Sequence, residues 1–206
     1  MSHPSRSVRA LLVAATLVAA GCSSGTPNSS SDSSPTAAPL TVATSSGTLT
    51  GTDVGDTRQF LGVRYAQPPT GERRWTLSQA VDARGAQVDA THPGAPCEQS
   101  APTPGLPTPS EDCLFLNVTT PRSTTPGTRL PVMVWWHGGG YTTGTGAAYD
   151  AQRLADTGDV MVVTVNYRLG IFGYLGLPNL QGGGDFGFAD QLESLHWVQR
   201  NAAAFG

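Results

Sequence analysis

Residues 131–144 read PVMVWWHGGGYTTG. The run from Val132 to Trp136 is apolar without alternation, the pattern of a strand covered on both faces by helices rather than one that wets a face. It delivers His137 and then three glycines, Gly138, Gly139 and Gly140. Glycine loses more conformational freedom on folding than any other residue, so three together need a reason. The reason is a main chain that another group approaches too closely for a Cβ. A phosphate is one such group, but GGGYTTGTG lacks the lysine of G-x-x-x-x-G-K-[ST], and no G-x-G-x-x-G opens a helix here. The other is a carbonyl oxygen that turns negative during a reaction and is held by bare N–H groups.

Working outward from that turn, VMVVTVNYRL (160–169) is a second unbroken apolar run, and AYDAQRLADTGD between the two predicts a short helix with Leu154 and Ala155 facing inward. FADQLESLHWVQRNAAAF predicts a longer helix, with Phe188, Leu192, Leu195, Val198 and Ala202 at helical spacing. On the N-terminal side, LTVATSSGTLTG predicts a hairpin around Ser45, Ser46 and Gly47. TRQFLGVRYA (57–66) predicts a third strand stopped by Pro68 and Pro69, and LFLNVTTP from Leu114 another ended by proline. Thr70 to Pro96 shows little pattern. Antiparallel strands leading into strand–helix–strand–helix indicate an α/β fold, an antiparallel edge joined to a mostly parallel central sheet.

The N-terminus stands apart from this fold. Arg6 and Arg9 precede the apolar run Ala10–Ala20, then Gly21 and Cys22. That is the layout of an export signal over residues 1–21, too short to span a bilayer comfortably. A Cys directly after small residues resembles a bacterial lipobox, which makes Cys22 a lipidation site and a membrane anchor; an ordinary signal peptide with a chance Cys is the alternative. Either way the chain is exported, anchored on the outer face or secreted. Residues 22–39, rich in Ser, Thr, Pro and Ala, cannot bury enough apolar surface to order themselves and read as a tether. The folded region is 40–206. With twelve Lys and Arg against fifteen Asp and Glu, no basic footprint for nucleic acid exists. In an oxidising compartment, Cys97 and Cys113 are either a disulfide or two buried thiols. They enclose fifteen polar, proline-rich residues, and closing a loop of that size is worth about 3 kcal/mol in the chain-entropy model.

A strand running into His–Gly–Gly–Gly is the lipase and esterase form of an oxyanion-binding turn. Four more stretches agree with it. FLGVRYAQPPTGERRW (60–75), EDCLFLNVTTP (111–121), VVTVNYRLGIFGYL (162–175) and DFGFADQLESLHWVQRNAAAFG (185–206), in this order and spacing, resemble the type-B carboxylesterases, the cholinesterase-like group of the α/β-hydrolases. The pattern departs at Thr119, where an apolar residue is usual, and at Gly184–Asp185, where the family has Gly–Asn. The resemblance implies that Gly139 and Gly140 supply oxyanion-hole amides, supported by His137 and Gly138. It also implies a Cys97–Cys113 disulfide, and buried structural ion pairs Arg74–Glu111 and Arg168–Asp190. The implied reaction is serine-dependent hydrolysis of a small-molecule ester through an acyl-enzyme, with no cofactor and no metal.

None of the triad is present. No serine of the folded region 40–206 sits in G-x-S-x-G; Ser194 lies in LESLH within a helix, and Ser45 and Ser46 lie in a turn. In the α/β-hydrolases the order is Ser, then Asp or Glu, then His, and the elbow follows the stretch at which this chain stops. The expectation is therefore an N-terminal portion of the family's domain, inactive alone, that carries the oxyanion-hole half of the site. His137 lies beside the hole and not opposite a serine, which suits an anchor better than a base. His196 and His92 are read as packing or loop residues. Tyr141 lines either a substrate pocket or the core. The alternative reading is a non-catalytic, cholinesterase-like extracellular binding module; the intact HGGG favours the enzyme.

Overall fold

A computed structural model describes residues 40–100, 102–125 and 127–206; the export signal, Cys22 and the whole of the 22–39 tether lie outside them. β1 (Thr41–Thr44) and β2 (Gly47–Thr50) form an antiparallel hairpin around Ser45–Ser46. Gly47 turns it at φ +112°, and a Cβ there would lie 2.8 Å from the Ala86 carbonyl oxygen. β3 (Thr52–Val54) and β4 (Thr57–Arg64) make a second hairpin. β5 (Gln87–Asp89) pairs in parallel with β2. It is three residues long, too short for alternation to reveal it in a stretch that otherwise carries little pattern.

β6 (Phe115–Pro121), β7 (Val132–Trp136) and β8 (Met161–Val165) complete a five-stranded sheet in the order β3-β4-β6-β8-β7. Its pairs are antiparallel except β7–β8, which is parallel. A parallel pair needs a crossover, and α1 (Gln152–Gly158) lies in that connection. α1 ends on Asp159 in the left-handed region. α2 (Gly170–Gly173) is a single turn, and α3 (Phe186–Asn201) is the long helix. The core collects Leu49, Phe60, Val63, Leu116, Val118, Val163 and Val165 from the strands with Trp197 and Phe205. Phe60 meets Phe205 edge-on at 5.1 Å between centroids. Burying one such side chain is worth about 1.5–3 kcal/mol.

Three sequence expectations are corrected. Every residue of β8 is buried, but β7 exposes Val132, Met133 and Trp135. β7 is the last strand of the sheet among the described residues, so nothing pairs with its far side. Leu154 of α1 faces outward, while Ala155 is fully buried. On α3 the stripe Phe188, Leu192 and Leu195 is exposed. The buried face is Phe186, Asp190, Ser194, Trp197, Val198 and Asn201. The polar members of that face all find partners, which a buried polar group requires. Ser194 Oγ donates to the Gln191 carbonyl oxygen and accepts from Trp136 Nε1, and Asn201 holds Ser45 through its amide nitrogen and oxygen. Trp197 Nε1 donates to Ser46 Oγ at 2.7 Å.

Candidate active site

The glycine turn follows directly from the C-terminal end of β7. His137 is buried, its ring stacked on Tyr167 at 4.6 Å, and the Tyr167 hydroxyl donates to the His137 carbonyl oxygen at 2.7 Å. His137 Nδ1 lies 2.8 Å from the Gly138 carbonyl oxygen, so Nδ1 carries the proton of the neutral ring. Its Nε2 is buried with no protein partner among the described residues. Among the described residues no carboxylate is bonded to this ring, whose contacts are the Gly138 carbonyl and the Tyr167 ring.

Burial lowers the His137 pKa below its ordinary value of 6.5, opposed by the hydrogen bond to Gly138. The unfolded chain therefore takes up this proton before the folded one does, and stability is fully present above that value and falls as pH drops below it. Urea midpoints between about pH 5 and pH 7.5 are expected to fall more steeply with acid in the native protein than in His137→Gln. Parallel curves would contradict the assignment.

Past His137 the chain folds back on itself. The amides of Thr142 and Thr143 both donate to the Gly139 carbonyl oxygen, each at 3.2 Å. Gly139 has φ +126°, and a Cβ on it would lie 2.0 Å from the Thr143 carbonyl oxygen. Gly140 has φ +62° with open space where a Cβ would stand, and the space beside Gly138 is open too. The amides of Gly139 and Gly140 donate to no acceptor among the described residues. Two consecutive N–H groups thus remain unspent on the exposed side of the turn. Tyr141 follows, largely exposed; its carbonyl accepts from the Gly170 amide at 2.7 Å and its ring meets Tyr174 at 4.8 Å. Ile171 on α2 is exposed, and Phe172 stacks on Trp75. The turn therefore opens beside an aromatic and aliphatic lip.

The other residues singled out from the sequence form the frame. Cys97 and Cys113 are joined in a disulfide. Arg168 and Asp190 form a buried ion pair, their side chains 3% and 0% exposed. Arg74 Nε and Nη2 meet the two carboxylate oxygens of Glu111 at 2.5 and 2.6 Å. This pair is not buried as the resemblance implied: the Arg74 side chain is 37% exposed, at the rim with Trp75 and Phe172. Among the described residues no cluster of His, Cys, Asp and Glu could hold a metal ion, and no helix is long and apolar enough to cross a membrane.

Sequence reasoning missed Gln99, Thr145, Asn166 and Tyr167. Asn166 Oδ1 accepts from the Gly146 amide and the Thr145 hydroxyl, and its Nδ2 donates to the Ala95 carbonyl oxygen. Gln99 grips both polar groups of the Gly144 backbone. These contacts join residues 20 to 71 positions apart, and no local pattern announces them. The amide side chains in CEQ and VNYR were the only available signal.

The sequence profile of the Carboxylesterase family matches residues 38–206. The cocaine esterase of Oryctolagus cuniculus is 40% identical over 168 residues, 76% of this chain and 31% of that protein. The para-nitrobenzyl esterase of Bacillus subtilis (strain 168) is 40% identical over 174 residues, 80% of this chain and 35% of that protein. Among solved structures, a thermophilic para-nitrobenzyl esterase superposes with a TM-score of 0.75 at 39% identity, covering 81% of this chain and 36% of that one. A Geobacillus stearothermophilus carboxylesterase gives 0.73 at 37%, covering 81% and 35%. The chain thus spans about a third of the length of the relatives it matches.

Proposed function

The chain belongs to the carboxylesterase family, with the α/β-hydrolase fold, and from that premise we propose that it forms the oxyanion-hole part of a serine ester hydrolase. The observation that carries the proposal is the pair of unspent amides at Gly139 and Gly140, held in a turn where Gly139 admits no side chain. When a serine attacks an ester carbonyl, the oxygen gains negative charge, and donors already aimed at it need no reorganisation. Protonated or not, His137 does not face this oxygen as a base; it holds the strand end from which the glycines project. The serine, acid and catalytic histidine are not among these 206 residues. The apolar lip of Tyr141, Ile171 and Phe172 supports uncharged, apolar esters as the substrate class. The same proposal places the domain outside the cytoplasm, exported by residues 1–21 and held by a lipid on Cys22 through the 22–39 tether; a Cys22→Ser variant still found in the membrane fraction would count against the lipid.

The test is a chimera. Residues 40–206 replace the aligned third of the Bacillus subtilis para-nitrobenzyl esterase, which contributes the rest of its own domain. The chimera is expected to hydrolyse p-nitrophenyl butyrate and to react with a fluorophosphonate. The 206-residue chain alone is expected to do neither. A chimera with native-like circular dichroism that fails both assays would sink the reading, and so would serine labelling of the isolated chain.

A further inference from the structure

Gln99 stands two residues beyond Cys97, in the segment that the Cys97–Cys113 disulfide ties to the start of β6. Its side-chain amide copies a backbone pair. Oε1 accepts from the Gly144 amide at 2.8 Å, and Nε2 donates to the Gly144 carbonyl oxygen at 2.8 Å and to the Cys97 carbonyl oxygen at 3.0 Å. Gly144 closes the far limb of the glycine turn. At φ +116° it is pressed so tightly onto the near limb that a Cβ would fall 2.3 Å from His137 Nδ1 and 2.5 Å from the Gly138 carbonyl oxygen. The near limb is fixed from below by Tyr167. The far limb has Gln99 as its latch across the top.

We propose that Gln99 is the positioning residue that fixes the Gly139 and Gly140 amides, acting through Gly144, and that the disulfide holds Gln99 in place to do so. This deepens the oxyanion-hole reading and rests on it for its functional meaning. Gln99 touches neither Gly139 nor Gly140. Its effect passes through Gly144 to His137 and Gly138, and from there to the two amides that follow. At neutral pH the primary amide offers a donor and an acceptor together, as this site requires. A carboxylate accepts only, and in Gln99→Glu it would face the carbonyl oxygens of Gly144 and Cys97 without a proton between them. A protonated carboxyl regains one donor and one acceptor.

The test is amide hydrogen exchange in the 206-residue chain, read at Thr142 and Thr143, whose N–H groups close the turn on Gly139. Native protein, Gln99→Ala and Gln99→Glu are compared at neutral pH and at about pH 4, near the ordinary glutamate value. At neutral pH both variants are expected to lose about tenfold protection at these two amides, the size of one net hydrogen bond, with α3 unchanged. In acid, Gln99→Glu recovers native protection and Gln99→Ala does not. Unchanged protection in Gln99→Ala, no acid recovery in Gln99→Glu, or a uniform loss that includes α3 would each overturn the proposal. Replacing Cys97 and Cys113 together by serine is expected to loosen the same two amides; if it does not, the disulfide's part is wrong. None of this involves turnover, so an inactive chimera with these exchange results would refute the esterase reading and leave the latch standing.

Discussion

Asp190→Ala is expected to destabilise the fold by about 3–5 kcal/mol, because it strands a buried guanidinium. Asp190 is fully buried and accepts from Arg168 Nε and Nη2, both at 2.8 Å, from the Arg168 amide at 3.0 Å, and from the Ser78 hydroxyl. Arg168 lies over the Phe186 ring and is itself almost wholly buried. Both side chains are shut off from bulk solvent, which therefore cannot readily replace the carboxylate. Urea unfolding reads the loss as a lower midpoint at unchanged slope. A second variant separates the worth of the pair from the cost of breaking it. Arg168→Met with Asp190→Leu removes both charges and is expected to recover most of the loss, since apolar replacement of a buried pair is often close to neutral. A single Asp190→Ala change that costs less than about 1 kcal/mol, the size of an exposed pair, would show that the site is wetter than its geometry indicates.

In the chimera, Gly139→Ala is expected to lower kcat by about 10²–10³, the cost of one oxyanion donor. The methyl group would stand 2.0 Å from the Thr143 carbonyl oxygen, in a region of φ that L-residues rarely adopt. The turn must open, and the two amides move with it. Its neighbours make the comparison. Gly140→Ala meets no atom but keeps a left-handed φ of +62°, a conformation that costs an L-residue about 1–2 kcal/mol. Gly138→Ala has neither problem, so its stability is expected to match the native chimera, and any loss of rate there reports a methyl group standing in the substrate's space. Equal kcat for Gly139→Ala and the native chimera would remove the oxyanion role from this turn.

Much of the proposed site was written locally. The run into His137, the three glycines and the absence of a phosphate-loop lysine were enough to point to an oxyanion turn, because backbone demands of that kind act on the residue that meets them. The partnership of Arg168 with Asp190 came only through resemblance, since 22 residues separate them. Gln99 and Gly144 are 45 apart, and their pairing exists only once the disulfide loop lies over the glycine turn.

By itself, the order of apolar and polar residues determined the hairpin at Ser45–Ser46, the strands at Thr57–Arg64, Phe115–Pro121 and Met161–Val165, and the existence of α1 and α3. Hydrophobic period and turn chemistry are properties of neighbours along the chain, and they survive without knowledge of the fold. Which face each element buries was settled only in three dimensions. Val132–Trp136 is as apolar as Met161–Val165, yet it is the last strand of the sheet among the described residues and is half open there. α3 turns Phe188 and Leu192 outward because Asp190, Ser194 and Asn201 have their partners on the other side. A buried polar group must meet a partner of fitting geometry, and that partner's place is a fact of the tertiary structure.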